Sequence, residues 1–165
     1  MNWDQIYIWS SLALLGPLCL IAIWTDLRQM LIKNWLTASF ASLACVIVLI
    51  TLGWQALLWH VLFAVAIFFL CYIAFHFNQM GGGDLKLFVG VAIALGFWTF
   101  TKFLFILSAA AIVTLLLHRA VGLYVRPRDP DQKWGSFHRT NHFPYGVTIG
   151  LAYIITMGEK AITTV

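Results

Sequence analysis

The chain has 165 residues, of which 62% are hydrophobic and only 10% are charged. A soluble domain would be about 45–50% apolar and about 25% charged, so this composition excludes an ordinary soluble protein. The net charge of +4 does not indicate a nucleic-acid-binding protein, because the few basic residues lie near the ends of apolar segments.

Six apolar segments follow one another along the chain. They cover residues 6–25, 35–52, 57–77, 87–100, 103–117 and 143–157. A helix of about 20 apolar residues crosses about 30 Å of hydrocarbon, and the last three segments are near the lower limit. We expect a break at 99–102, a polar loop over 118–142 and a short tail from 158. The sequence therefore predicts an all-α polytopic membrane protein, a bundle of six transmembrane helices forming one domain over residues 1–165.

The basic residues are distributed unequally between the two sides of this bundle. Lys102 and Lys160 fall on the side that holds both termini. The other side holds eight: Arg28, Lys33, Lys86, Arg119, Arg126, Arg128, Lys133 and Arg139. Because cytoplasmic loops are enriched in Lys and Arg, this side is expected to face the cytoplasm, with both termini outside.

Two acidic residues lie next to apolar segments on this basic side. Asp26 ends the first segment and Asp84 begins the fourth, and a carboxylate at the mouth of an apolar helix is costly. Two carboxylates close together share one proton, so one can act as general base on water and the other as general acid on a peptide carbonyl. The structural alternatives are a helix cap for Asp84 and an ion pair with Arg28 or Lys33 for Asp26.

The residues around Asp84 suggest a role in binding. Gly81, Gly82 and Gly83 precede it directly, and three glycines permit positive φ angles and leave backbone open to an extended peptide. Lys86 follows two residues later, where its charge either influences the carboxylate pair or reaches the lipid surface.

Three motifs resemble those of one known family. Gly81-Gly82-Gly83-Asp84 matches the GxGD motif of intramembrane aspartyl proteases, and the longer GGGDLKL matches the form found in prepilin peptidases, or type IV leader peptidases. Asp26-Leu27-Arg28 followed by Ile32-Lys33-Asn34 resembles the first-aspartate motif of that family, with Lys33 where proline is usual. Phe143-Pro144-Tyr145-Gly146-Val147 resembles its Pro-Tyr-Gly-x-Ala stretch at the start of the last helix.

The resemblance implies an aspartic endopeptidase with the six-helix fold of the GxGD proteases, with Asp26 and Asp84 catalytic and no metal or cofactor. The implied substrate is a prepilin or pseudopilin precursor, cut between its leader and its hydrophobic helix at the cytoplasmic face of the bacterial inner membrane. The motif residues expected to contact substrate or shape the site are Gly81, Gly82, Gly83, Lys86, Arg28, Asn34, Pro144, Tyr145 and Gly146.

The choice between branches of this family depends on a cytoplasmic insertion. Larger members carry a cytoplasmic insertion with paired CxxC zinc sites and methylate the new N-terminus, and nothing here matches that insertion. The size resembles the short stand-alone members that serve Flp-type pili, although archaeal preflagellin peptidases are also compact. Two alternatives remain: a small proton- or cation-coupled carrier with Asp26 and Asp84 as relay groups, and a non-catalytic assembly subunit.

Overall fold

The computed structural model describes residues 2–125, 134–138 and 143–164, and within these ranges the chain is helical and contains no strand. The helices are α1 (Trp3–Gln29), α2 (Asn34–Leu52), α3 (Trp54–His76), α4 (Gly82–Val125), α5 (Gly135–His138) and α6 (Tyr145–Thr163). Four of them, α1 to α4, are long and apolar enough to cross a membrane. The expected all-α, polytopic membrane class is confirmed, and the count of six crossings stays a prediction.

Helix α4 folds back on itself at Gly96. This residue has φ 62° and ψ 175°, and it separates a segment at 82–95 from one at 97–125. The Phe88 ring lies 5.3 Å from the Phe100 ring and 5.8 Å from that of Phe103, whereas twelve residues of straight helix would span about 18 Å. The two segments of α4 therefore pack side by side, as two successive predicted spans would.

Side chains from two other helices bind carbonyl groups of α4 next to this fold. The Tyr7 hydroxyl donates to the carbonyl of Ala94, and His60 Nδ1 lies 2.8 Å from the carbonyl oxygen of Ile93. A carbonyl group without a hydrogen bond inside a bilayer would cost roughly several kcal/mol. These two contacts therefore stabilise the backbone beside the break at Gly96. They also attach α1 and α3 to the turn of α4.

The first and last long helices pack against each other. α1 lies against α6 and α2, while α4 contacts α2, α3 and α6. At the end that holds both termini, Lys102 Nζ lies 2.7 Å from Glu159 Oε1, and Gln5 Nε2 lies 3.3 Å from the carbonyl oxygen of Thr164. The opposite end therefore brings together the C-terminal end of α1 and the N-terminal ends of α4 and α6.

Three expected boundaries are wrong. The break lies at Gly96 and not at 99–102, because Thr101 bonds the carbonyl of Phe97 and Lys102 pairs with Glu159, which allows the helix to continue. Residues 118–125 of the expected loop belong to α4, and most of the expected tail belongs to α6. Residues 126–133 and 139–142 of that loop lie outside the described residues.

Candidate active site

Asp26 lies in the last turn of α1 and is 5% exposed. Met30 ends this helix in the left-handed conformation, with φ 52°, and its N–H donates to the carbonyl of Asp26. The chain then turns towards α2, so α1 ends within one turn of the carboxylate. A helix that ends within one turn of an acidic residue can present its carboxylate at a cavity instead of to lipid.

Asp84 lies in the first turn of α4, as the sequence predicted. The helix begins at Gly82, and the N–H of Leu85 bonds the carbonyl of Gly81 at 3.0 Å. The positive end of the helix dipole lies at this turn and favours a negative charge there. Asp26 and Asp84 are close enough to repel each other electrostatically.

Gly146, in the first turn of α6, connects the two carboxylates. Its backbone N–H interacts with Asp26 and with Asp84, that of Val147 interacts with Asp26, and that of Gly81 with Asp84. A Cβ atom on Gly146 would lie 2.9 Å from Oδ2 of Asp26, so only glycine allows this approach. Asp26 Oδ2 and Asp84 Oδ1 are buried and have no hydrogen-bond partner in the described part of the chain.

Both carboxylates open onto one cavity of about 540 Å³, here called the dyad cavity. It contains polar and apolar groups, and it lies where the ends of α1, α3, α4 and α6 meet. Its lining residues are Asp26, Met30, Phe75, Asn78, Gln79, Met80, Gly81, Asp84, Phe143 and Tyr145.

Two lining residues have unusual backbone conformations. Met30, with φ 52°, and Asn78, with φ 56°, are the two non-glycine residues with positive φ in the described ranges. Such conformations are uncommon and cluster at functional sites, where the surrounding structure holds them in place. Met30 directly follows α1, and Asn78 lies two residues after the end of α3. Both conformations therefore occur where the chain leaves a helix beside the carboxylates.

The glycines before Asp84 do not act through positive φ, which corrects the expectation from the sequence. Gly53 and Gly96 are the positive-φ glycines in the described ranges. Gly81 and Gly83 instead leave room for their neighbours: a Cβ atom would lie 2.8 Å from Oδ2 of Asp84 at position 81 and 3.0 Å from Cβ of Ile32 at position 83, so either would displace the neighbouring atoms. A Cβ atom on Gly82 would make only an ordinary contact with Phe75, at 3.5 Å.

The other motif residues divide into two groups. Tyr145 lines the dyad cavity, and Pro144 is the N-cap of α6 and lines an apolar cavity next to it. Arg28, Asn34 and Lys86 do not line the dyad cavity. Lys86 Nζ donates to Asn34 Oδ1 at 2.8 Å, and the Arg28 guanidinium lies 6.0 Å from the Trp24 ring.

Sequence reasoning missed several lining residues. Gln79 and Met80 adjoin the glycines, so proximity to the motif was a usable signal. Met30 and Phe75 gave no signal, because they are single apolar residues at the ends of apolar helices. Their position depends on which helix ends meet, and periodicity does not specify this.

One family model matches the chain, over residues 13–117, and its description is the type IV leader peptidase family. The chain belongs to this family. The comparisons with curated proteins and with solved structures give no match.

Family membership makes this chain a membrane-integral peptidase and implies cleavage of a prepilin leader peptide. The matched range, residues 13–117, includes Asp26 and Asp84 but ends before Gly146. The structure therefore adds α6 to the site independently of the family match. A peptidase family also favours the enzyme over the carrier and the assembly subunit considered above.

Proposed function

We propose that Asp26 and Asp84 are the catalytic dyad of an aspartic endopeptidase that removes the leader from prepilin-like precursors. The observation that carries this proposal is the meeting of a buried carboxylate, Asp26, and a half-buried one, Asp84, at one cavity, with the backbone of Gly146 directed at both. Placing two carboxylates from separate helices together away from bulk water destabilises the fold through their repulsion, so a functional reason for the arrangement is favoured.

The proposed reaction uses one ionised and one protonated carboxyl group. The ionised group removes a proton from a water molecule, whose oxygen attacks the scissile carbonyl carbon, while the protonated group donates its proton to the carbonyl oxygen. The gem-diol then collapses: one of its hydroxyl groups gives a proton to the ionised carboxylate, the C–N bond breaks, and the departing nitrogen takes the proton of the other carboxyl group. The dyad therefore again holds one proton. The products are a leader with a new carboxylate and a mature chain with a new amine.

We further propose that the dyad faces the cytoplasm at the bacterial inner membrane, with the termini outside. The eight-to-two distribution of Lys and Arg supports this, as does the position of Asp26 and Asp84 at one end of the bundle while Gln5 and Thr164 meet at the other. The substrate would be an Flp-type precursor, and the chain would act as a single peptidase domain without a methyltransferase.

Asparagine substitutions test the dyad. Asp26→Asn and Asp84→Asn preserve side-chain volume but cannot exchange the proton, so each should reduce cleavage of a co-expressed prepilin-like precursor about 10²–10⁴-fold or more. Asp4→Asn is the matched control, because Asp4 is exposed near the start of α1, far from the dyad. Cleavage at the wild-type rate by either dyad variant would exclude the proposed mechanism, and proton or cation flux in liposomes without peptide product would favour the carrier.

A further inference from the structure

The linker between α1 and α2, residues 30–33, passes beside the dyad. Met30 turns the chain out of α1, and α2 begins at Asn34. Within the linker, the side chain of Leu31 is 56% exposed, whereas that of Ile32 is only 5% exposed. The linker therefore directs one apolar side chain, that of Ile32, into the protein at the end of the bundle that holds the carboxylates.

Ile32 contacts two glycines of the site at once. A Cβ atom on Gly83 in α4 would lie 3.0 Å from Cβ of Ile32 and 3.1 Å from its carbonyl oxygen. A Cβ atom on Gly146 in α6 would lie 2.6 Å from Cδ1, at the other end of the same side chain. Gly83 directly precedes Asp84, and the N–H of Gly146 interacts with both carboxylates. Ile32 therefore contacts the first turns of α4 and α6 beside the dyad.

Hydrogen bonds hold the linker at both of its ends. The N–H of Met30 donates to the carbonyl of Asp26 at 2.9 Å, and Lys86 Nζ donates to Asn34 Oδ1 at 2.8 Å. The first bond joins the linker to the last turn of α1, and the second joins the start of α2 to α4. The backbone on either side of Ile32 is therefore attached to the helices that carry the dyad.

The shape of these contacts distinguishes Ile32 from an ordinary core residue. Most apolar side chains in a core face other side chains, which can repack when a neighbour changes, so swaps of similar volume are tolerated. Ile32 faces glycine backbone at both ends, and the backbone of a helix cannot adjust without moving the helix. A change in the shape of this side chain is therefore expected to displace the first turn of α4 or of α6.

We infer that Ile32 is a positioning residue of the dyad, which fixes the distance between Asp84 at the start of α4 and the N–H of Gly146 at the start of α6. The inference rests on the proposed peptidase function and concerns a side chain that acts through two helix ends. Ile32 does not line the dyad cavity, so its effect on cleavage is expected without contact with substrate.

Ile32→Val tests this role, because it removes Cδ1 beside Gly146 and keeps the Cβ atom beside Gly83. A shift of about 1 Å in a catalytic group can reduce the rate about 10²-fold, and for the loss of one methyl group we expect kcat to fall about tenfold. KM should stay within about twofold, since a positioning residue affects the transition state and not substrate binding. Both constants are measured with purified protein in detergent on a prepilin-like precursor.

Ile47→Val is the matched control. Ile47 is also 5% exposed, and it lies in α2 about 20 Å along the helix from Asn34. Both substitutions remove one buried methyl group, so both should lower the midpoint of thermal unfolding by a similar small amount. Only Ile32→Val should reduce kcat.

A second measurement uses Gly146→Ala in three backgrounds: wild type, Ile32→Val and Ile47→Val. The valine at position 32 lacks the atom that would lie 2.6 Å from the new Cβ atom, so the factor by which Gly146→Ala reduces kcat should be at least about threefold smaller there. In the Ile47→Val background this factor should equal that in the wild type, because distant sites act independently.

Three results would overturn the role of Ile32 and leave the peptidase proposal intact. They are equal kcat values for Ile32→Val and Ile47→Val, an equal effect of Gly146→Ala in all three backgrounds, and a higher KM with unchanged kcat in Ile32→Val. Absence of cleavage by the wild type would instead overturn the peptidase proposal and, with it, this inference.

Discussion

A methyl group at position 146 would meet the most crowded part of the site. The Cβ atom of Gly146→Ala would lie 2.9 Å from Oδ2 of Asp26 and 2.6 Å from Cδ1 of Ile32. The Asp26 carboxylate would have to move, and misplacing a catalytic group by about 1 Å can reduce the rate about 10²-fold. We expect a loss of this size in kcat for leader cleavage, measured with purified protein in detergent.

Gly158→Ala provides the matched control for this substitution. Gly158 lies on the same helix, and a Cβ atom there would have no neighbour within 4 Å. Alanine is the better helix former, so the control should keep full activity and unfold at an equal or higher temperature. Equal activity in Gly146→Ala and Gly158→Ala would remove the evidence that α6 positions Asp26.

At the residue scale, the sequence predicted which two carboxylates belong together, but not what the glycines next to Asp84 contribute. Because a carboxylate next to an apolar helix is costly, the sequence alone indicates Asp26 and Asp84 as candidate functional residues. The glycines before Asp84 allowed two explanations, conformational freedom or the absence of a side chain. The second applies, and only the contact between position 81 and Oδ2 of Asp84 distinguishes the two.

At the scale of the helices, Gly96 determines how α4 folds. Gly96→Ala would place a side chain on a residue with φ 62° and a Cβ atom 2.4 Å from Nε2 of His60. Strain of this kind costs about 1–3 kcal/mol, and displacing His60 would also weaken its bond to Ile93. We therefore expect a clearly lower midpoint of thermal unfolding in detergent for Gly96→Ala.

The comparison for this variant is Gly16→Ala in α1, where a Cβ atom would have nothing within 4 Å. That substitution should leave the midpoint unchanged or raise it, since alanine restricts the unfolded chain. If Gly96→Ala were as stable as Gly16→Ala, the turn would not depend on the left-handed backbone at position 96.

The misplaced break in α4 has a physical explanation. Thr99, Thr101 and Lys102 form a polar cluster between apolar segments, which in sequence is typical of a loop. In the bundle, Lys160 lies 3.4 Å from Thr99 Oγ1 and Lys102 pairs with Glu159, so these residues are accommodated in a helix. Such partners lie about 60 residues away, and a local pattern contains no information about them.

At the scale of the whole molecule, apolar length and charge predicted the class of protein, but not which helices touch. Lipid is as apolar as most helix surfaces, so packing depends on small residues that allow close approach. In α6, a Cβ atom on Gly150 would lie 2.9 Å from Ile23 of α1, which shows how closely these two helices pack. Single glycines in an apolar segment did not indicate this contact beforehand.

The orientation of the bundle can be measured with single cysteines at its two ends. Gln79→Cys lies beside the dyad and Thr164→Cys at the opposite end, and both residues are exposed. With a membrane-impermeant thiol reagent on intact cells, we expect labelling at 164 and protection at 79. The native cysteines Cys19 and Cys71 are buried, and wild-type protein records the background from Cys45.

Both positions should react once the membrane is permeabilised, which shows that protection at 79 reflects its side of the membrane. Labelling at Gln79→Cys in intact cells, with protection at Thr164→Cys, would reverse the proposed orientation.

The contact of Gly146 with both carboxylates also determines the order in which the site can be assembled. Asp26 and Asp84 leave the ribosome well before α6, whose backbone N–H groups complete their surroundings. A nascent chain that has inserted only α1 to α4 holds both acids but lacks the wall that orients them. The proposed catalytic site is therefore complete only after α6 has packed against α1 and α4.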